Sequence, residues 1–238
     1  MSLSTALATP DGKRRYTRQV FATIADRYDL ITRLLSFGFD PHWKRQLVTR
    51  ARLGPRDRVL DLACGTGDLA YLTLPRVERV VGLDLTHRML VLARAKAPSA
   101  RRVRFLAGDM TALPFPDAAF TVVTTSYGLR NVPDLPLAIA EARRVLTPGG
   151  RLLSLDFNRP EDPFVRAVYL GYLRVVGGIL GWLLHRDPDT YRYIPETIRR
   201  YPGAEGVARL LCEGGFEQVE ALPVLGGLMT IHVAHRPA

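Results

Sequence analysis

The stretch Arg58-Val59-Leu60-Asp61-Leu62-Ala63-Cys64-Gly65-Thr66-Gly67-Asp68 constrains the fold more than any other part of this chain. A short apolar run ends in an acid and opens at once into a turn with glycine at alternate positions. Glycine lets a backbone turn tightly and approach a ligand where a Cβ would collide. With Asp84 closing the next apolar run, the pattern is a strand, turn and helix shaped to hold an adenosine-bearing cofactor at the edge of a sheet.

Strand-like runs at 59–62, 80–84, 103–107, 120–125 and 152–157 alternate with helical segments at 68–74, 86–95 and 135–146. Such alternation predicts an α/β fold, a parallel sheet covered by helices on both faces. After a helix at 204–212, two further runs at 217–222 and 229–234 are separated only by 223–228. That is too short for a crossover helix, so these two strands run antiparallel. The expectation is a Rossmann-like, seven-stranded, mostly parallel sheet with a C-terminal antiparallel hairpin. One domain spans 17–238, with a helical cap at 17–52 and a helical insertion at 159–202. Residues 1–16, ending near Lys13, Arg14 and Arg15, read as a flexible basic tail.

The net charge of +10 and a pI near 10.1 favour polyanions, either nucleic acid or an anionic membrane surface. Two cysteines, Cys64 and Cys212, are too few for a disulfide framework, and the N-terminus lacks the apolar core of a signal peptide; both fit the cytoplasm. Segment 164–184 is nearly continuously apolar. Arg166, Arg174 and four glycines (171, 177, 178 and 181) argue against a transmembrane span. The open readings are an amphipathic helix beside the site, one touching a membrane, or a buried core helix.

Two cofactors compete for the glycine turn. Gly65-Thr66-Gly67-Asp68-Leu69-Ala70 satisfies the dinucleotide pattern, and Asp84 sits near its expected distance, so a nicotinamide-dependent dehydrogenase is a rival. A diphosphate, however, needs the helix N-terminus free of acids, and Asp68 follows Gly67 directly while Asp61 closes the strand. Negative charge there suits a ligand with a cationic end and no phosphate, which S-adenosylmethionine is. Asp84 would accept from the ribose hydroxyls, Asp109 from the adenine amino group, and Met110 would lie against the ring. Ser126 ends the fourth strand on the same side.

With those residues in view, the chain resembles the S-adenosylmethionine-dependent class I methyltransferases, and more narrowly the ubiquinone/menaquinone biosynthesis C-methyltransferase family. Four blocks carry the resemblance: Val20 to Asp29, Asp61 to Asp68, Ser126 to Val132 and Tyr191 to Ile198. The second is common to methyltransferases, and the third and fourth are specific to the family. The resemblance implies that Thr66, Asp84, Asp109, Met110 and Ser126 touch the cofactor, beside Asp61, Gly65 and Gly67. The chain departs from the family in carrying Ile31-Thr32 for Met-Asn, Asp40 for a histidine, Thr147 for a lysine and Asp156 for a glutamate.

The implied reaction moves a methyl group onto a ring carbon of a prenylated hydroquinone, a naphthoquinol ahead of a benzoquinol. Arg130 would favour the phenolate by opposite charge, and Asn131 would orient the ring oxygen. Asp187, Asp189 and His232 are the candidate bases, with none assigned. Tyr28, Tyr127, Tyr191 and Tyr193 are placed on the substrate. No metal is required, since the sulfonium is itself the electrophile. The implied partners are a prenylated quinol and the inner face of the cytoplasmic membrane, and a homodimer is compatible with the pattern. The apolar insertion opposes an RNA substrate. A non-catalytic assembly subunit on the same fold is the remaining alternative.

Overall fold

The computed structural model describes residues 7–97 and 102–238. Its centre is a run of β-branched and leucine-rich strands, β1 (Arg58–Leu62), β2 (Arg79–Asp84), β4 (Phe120–Ser126) and β5 (Leu146–Phe157), buried over most of their length, with β3 (Val103–Ala107) at the edge burying only Phe105. The antiparallel strands β6 (Glu217–Val224) and β7 (Met229–His235) complete a seven-stranded sheet of order β3-β2-β1-β4-β5-β7-β6. β1 pairs in parallel with β2 and β4, setting Asp61 opposite Gly82 and Thr124. β7 inserts antiparallel between β5 and β6, with Ile231 opposite both Leu155 and Leu222. β5 starts six positions earlier than the apolar run at 152 suggests, because Leu146 already pairs with Phe120 before a register shift.

Two apolar cores flank the sheet. One gathers Leu47, Val59, Val80, Phe105 and Leu153, and the other Leu60, Leu83, Val123, Ile139 and Leu211. Helices α1 (Pro10–Ile24) and α2 (Tyr28–Leu35) precede the sheet in the chain, and the two cores are built by α3 (Asp40–Arg50), α4 (Asp68–Thr73), α5 (His87–Lys96), α6 (Leu135–Val145) and α9 (Gly203–Glu213). A third core joins α1 and α2 to α7 (Pro163–His185) and to the segment before α8 (Tyr193–Arg200), through Ile24, Ile31, Tyr169, Leu173 and Tyr191.

The basic tail expected over 1–16 is corrected from residue 10 onward. Thr9 caps α1, its hydroxyl accepting from Gly12 N–H, and Pro10 and Asp11 occupy the first turn. Proline and an acid there start a helix, so Lys13, Arg14 and Arg15 stand on its second turn. Residues 1–6 lie outside the described residues.

Candidate active site

The turn after β1 is built by two glycines with left-handed backbone, Gly65 (φ +53°) and Gly67 (φ +83°). A Cβ on Gly67 would stand 2.9 Å from Phe105 Cζ, so the side chain is excluded twice over, by conformation and by space. Asp84, at the end of β2, clamps the turn: one carboxylate oxygen accepts from Gly65 N–H at 2.8 Å and the other from Thr86 N–H at 2.8 Å. Burial pushes its pKa up despite those two donors.

A cavity opens over the carboxyl ends of β1, β2 and β4, where ligands bind in open α/β sheets. Gly65, Asp84, Asp109, Met110 and Ser126 line it, together with Asn131 from the turn after β4. Its roof is α1, which contributes Arg14, Thr17 and Phe21. Arg14 Nε pairs with Asp109 Oδ2 at 2.6 Å, and Thr111 N–H and Oγ1 donate to Asp109 Oδ1.

Three of the residues assigned to the cofactor do not line this cavity. Asp61 is fully buried under the turn, with Thr124 Oγ1 donating to Oδ1 at 3.0 Å and no hydrogen-bond partner for Oδ2 among the described residues. Burial raises its carboxyl to about 7. Thr66 turns away to donate to Asp29 at 2.6 Å and to accept from Lys96 at 2.9 Å. Gly67 shapes the turn from behind. Nor is Asp68 free to face a cation. Lys44 Nζ lies 3.1 Å from its carboxylate, and Lys96 pairs with it as well. Two lysines thus offset the carboxylate at the head of the six-residue α4, and the negative charge expected at the turn is spent inside the protein.

A second, apolar cavity adjoins the first, and Phe21, Tyr28 and Tyr127 line both. Tyr28, Tyr127, Tyr191 and Tyr193 all meet at it, walled by Ile31 and Leu35 of α2 and by Phe157. Burial pushes the phenols of Tyr28 and Tyr193 up to about 12, so they stay neutral. Arg130 is the one charged side chain in that lining. Its Nε is 3.1 Å from Asp156 Oδ1, Nη1 donates to Asn131 Oδ1 (3.2 Å) and Thr197 Oγ1 (2.9 Å), and its guanidinium lies 4.9 Å from the centre of the Phe157 ring. Nη2 makes no hydrogen bond among the described residues, and the buried Nε has none beyond its ion-pair contact with Asp156. Asn131 is fixed by three contacts: Nδ2 donates to Tyr127 O, and Oδ1 accepts from Arg130 and Tyr193.

The candidate bases are not brought to either cavity. His232 is buried on β7 against Ser154 Oγ and Ala204 O, and burial lowers its pKa. Asp187 and Asp189 sit exposed in the turn after α7, where Asp187 accepts from Asp189 N–H and Thr190 Oγ1. Residues absent from the expected set prove central instead. Asp40 accepts from Tyr127 OH at 2.7 Å and pairs with buried Lys44 at 2.8 Å. Burial works to lower the Lys44 pKa, but Asp40 and Asp68 together raise it. The departures from the family pattern at Asp40 and Asp156 were the one sequence signal that pointed to both.

Comparison with known proteins bears on the family and the fold. The model of the ubiE/COQ5 methyltransferase family matches residues 10–236. A demethylmenaquinone methyltransferase of Thermus thermophilus is 43% identical over 221 residues, 92% of this chain and all of the relative. The ubiquinone/menaquinone biosynthesis C-methyltransferase UbiE of Francisella philomiragia is 36% identical over 94% of this chain and 92% of its own. Among solved structures, a SAM-dependent methyltransferase of Thermotoga maritima superposes with TM-score 0.66 at 21% identity, covering 92% of this chain and 99% of its own. The cyclase SpnF does so with TM-score 0.62 at 18% identity, covering 95% and 97%, so the fold by itself does not specify methyl transfer. Sequence likeness over nearly the whole length does: the chain belongs to the ubiE/COQ5 methyltransferase family.

Proposed function

We propose that this enzyme methylates a ring carbon of a prenylated hydroquinone, the demethylmenaquinol of menaquinone biosynthesis, in the cytoplasm with S-adenosylmethionine as donor. The observation that carries the reading is the pair of cavities sharing Phe21, Tyr28 and Tyr127, one at the glycine turn and the other apolar with a single guanidinium. The residues fit the donor: Gly65 gives close backbone approach, Asp84 offers carboxylate oxygens, and Met110 with Leu85 makes an apolar seat for a flat ring. When bound, the donor supplies an electrophilic methyl group. The relatives named for the same reaction support the choice of acceptor.

The chain's own residues act on the acceptor. Tyr28, Tyr127, Tyr191 and Tyr193 enclose a planar ring and exclude water, leaving it in a medium of low dielectric where a single charge counts for more. A phenol has a pKa near 10, and the partnerless Nη2 of Arg130 is the donor available to a ring oxygen. Stabilising the phenolate raises electron density on the neighbouring ring carbon, the atom to be methylated. Asp156 and Thr197 hold the guanidinium in place for that contact. Methylation leaves the ring as a dienone whose proton on the newly substituted carbon is acidic, and loss of that proton to solvent as the product leaves restores the aromatic ring.

The test is an assay with isotopically labelled methyl donor and two reduced acceptors, a naphthoquinol and a benzoquinol, followed by analysis of the lipid extract. Label in the naphthoquinol supports the reading. Label only in the benzoquinol replaces the acceptor, and label in neither removes the function.

A further inference from the structure

Helix α7 has two apolar faces, and the protein covers only one. Tyr169, Leu170 and Leu173 pack inward, and the helix sits close because Gly177 and Gly181 leave no room for a side chain. A Cβ on Gly177 would be 3.1 Å from Tyr191 Cβ, and one on Gly181 would be 2.5 Å from the Asp187 carbonyl oxygen. On the opposite face Val168, Val175, Ile179 and Trp182 follow at helical spacing, all exposed, Trp182 by 63%. Helix α2 runs alongside. Phe37, just after it, stacks on Tyr172 at 5.5 Å, and Arg27, just before it, donates to Leu184 O. Its Leu34 and the Phe37 ring are exposed and extend the same surface, while Ile31 and Leu35 on its inner face line the apolar cavity.

An apolar area of this extent is unusual on the surface of a monomer and marks a contact site. Arg33, Arg174 and Arg186 lie on α2 and α7 or at the end of α7, and none forms an ion pair among the described residues. Apolar residues interleaved with unpaired arginines match a lipid interface with anionic headgroups. They match a second copy of this chain poorly, since two such faces would bring like charges together. α7 is long and apolar enough to cross a bilayer, but one face is committed to the protein through the two close glycine contacts, which lays the helix flat against the body.

We propose that the outer face of α7, with α2 and the turn after it, docks on an anionic lipid bilayer, so that α2 separates the lipid from the acceptor cavity by one helix. The proposal deepens the functional reading above and rests on it only for the acceptor's origin in the membrane. Burial of these side chains in the headgroup region supplies apolar binding energy, and the arginines add about 1 kcal/mol each near an anionic surface, roughly fivefold in affinity per arginine.

The two tryptophans give a direct readout, because Trp43 is packed in the core at 4% exposure and only Trp182 can report contact. The full chain is mixed with vesicles of phosphatidylcholine alone, or with phosphatidylglycerol added, and followed by flotation and tryptophan emission. Expected are flotation and a blue shift with the anionic vesicles, both weakened by salt. The Val175→Asp/Ile179→Asp variant should bind at least tenfold less tightly, while methylating a tail-less, water-soluble quinol at the wild-type rate. Unchanged vesicle binding by that variant overturns the proposal, as does binding indifferent to lipid charge. So does a blue shift that grows with protein concentration in the absence of lipid, which would assign the face to a second copy. Vesicle binding as expected without methylation of any quinol would instead refute the functional reading and leave the surface assignment standing.

Discussion

Arg130 and Asp156 form a buried ion pair, Nε to Oδ1 at 3.1 Å, in which the guanidinium lines the apolar cavity and the carboxylate stands outside its lining. Asp156 also accepts from the backbone N–H groups of Arg130 and Phe157. Arg130→Ala therefore strands a buried carboxylate, and unfolding in urea should show a loss of about 3–5 kcal/mol. Pairing Arg130→Met with Asp156→Asn should recover most of that stability without recovering methyl transfer. Donor affinity, measured by calorimetry, should stay within about twofold for both, because Arg130 does not line the donor cavity.

Asp84→Ala removes the acceptor for two backbone donors, Gly65 N–H and Thr86 N–H. Each buried donor left unpaired costs about 1–3 kcal/mol, and the turn they hold is the donor site itself. Calorimetric titration with S-adenosylhomocysteine should show a loss of affinity of at least about a hundredfold, while Arg130 variants keep theirs. Equal losses in both would contradict the division of roles.

Asp61 gives the protein a distinct pH dependence. Burial raises its carboxyl to about 7, against about 3.9 in an unfolded chain. The native state thus binds a proton more tightly, and this group's contribution to stability is full below about pH 4. It declines as pH rises towards 7 and stays low above that. Asp61→Asn, which keeps an oxygen for the Thr124 hydroxyl, should flatten the slope between about pH 4 and pH 7. Thermal unfolding across that range measures it.

Lys44 ties α3 to α4 and to Tyr127. It pairs with Asp40 and Asp68, and Asp40 in turn accepts from the Tyr127 hydroxyl. Lys44→Met leaves Asp40 as a buried, uncompensated charge and should destabilise the protein by about 3–5 kcal/mol in chemical unfolding. Adding Asp40→Asn to it should restore part of the loss, since the amide oxygen still accepts from Tyr127.

The sheet was readable because each buried strand is a short apolar run, and the turn after β1 because glycine is needed where φ is positive. That Asp84, Met110 and Ser126 share one edge of the sheet was legible too, since Asp84 and Ser126 end strands and Met110 follows β3, and all three line the first cavity. Asp61 and Thr66 misled: motif membership placed them on the ligand, but pairing with Thr124 and with Asp29 turns them inward. Periodicity says which face a residue occupies and nothing about a partner 63 positions away. The start of α1 was missed by weighing Lys13 to Arg15 as a charge cluster over the cap at Thr9 and Pro10. His232 looked chemical in isolation, but the antiparallel pairing of β5 with β7 seals it between Ser154 and Ala204.

Helix α1 carries a lesson about chain completeness. Every strand of the donor site lies beyond residue 57, yet Arg14, Thr17 and Phe21 close the cavity from above. A protein clipped after α1 would keep its sheet and its glycine loop but hold them as an open trough. Such a species would lack the residues that cover the donor, so retention of S-adenosylhomocysteine, rather than integrity of the sheet, is the property that reports an intact first helix.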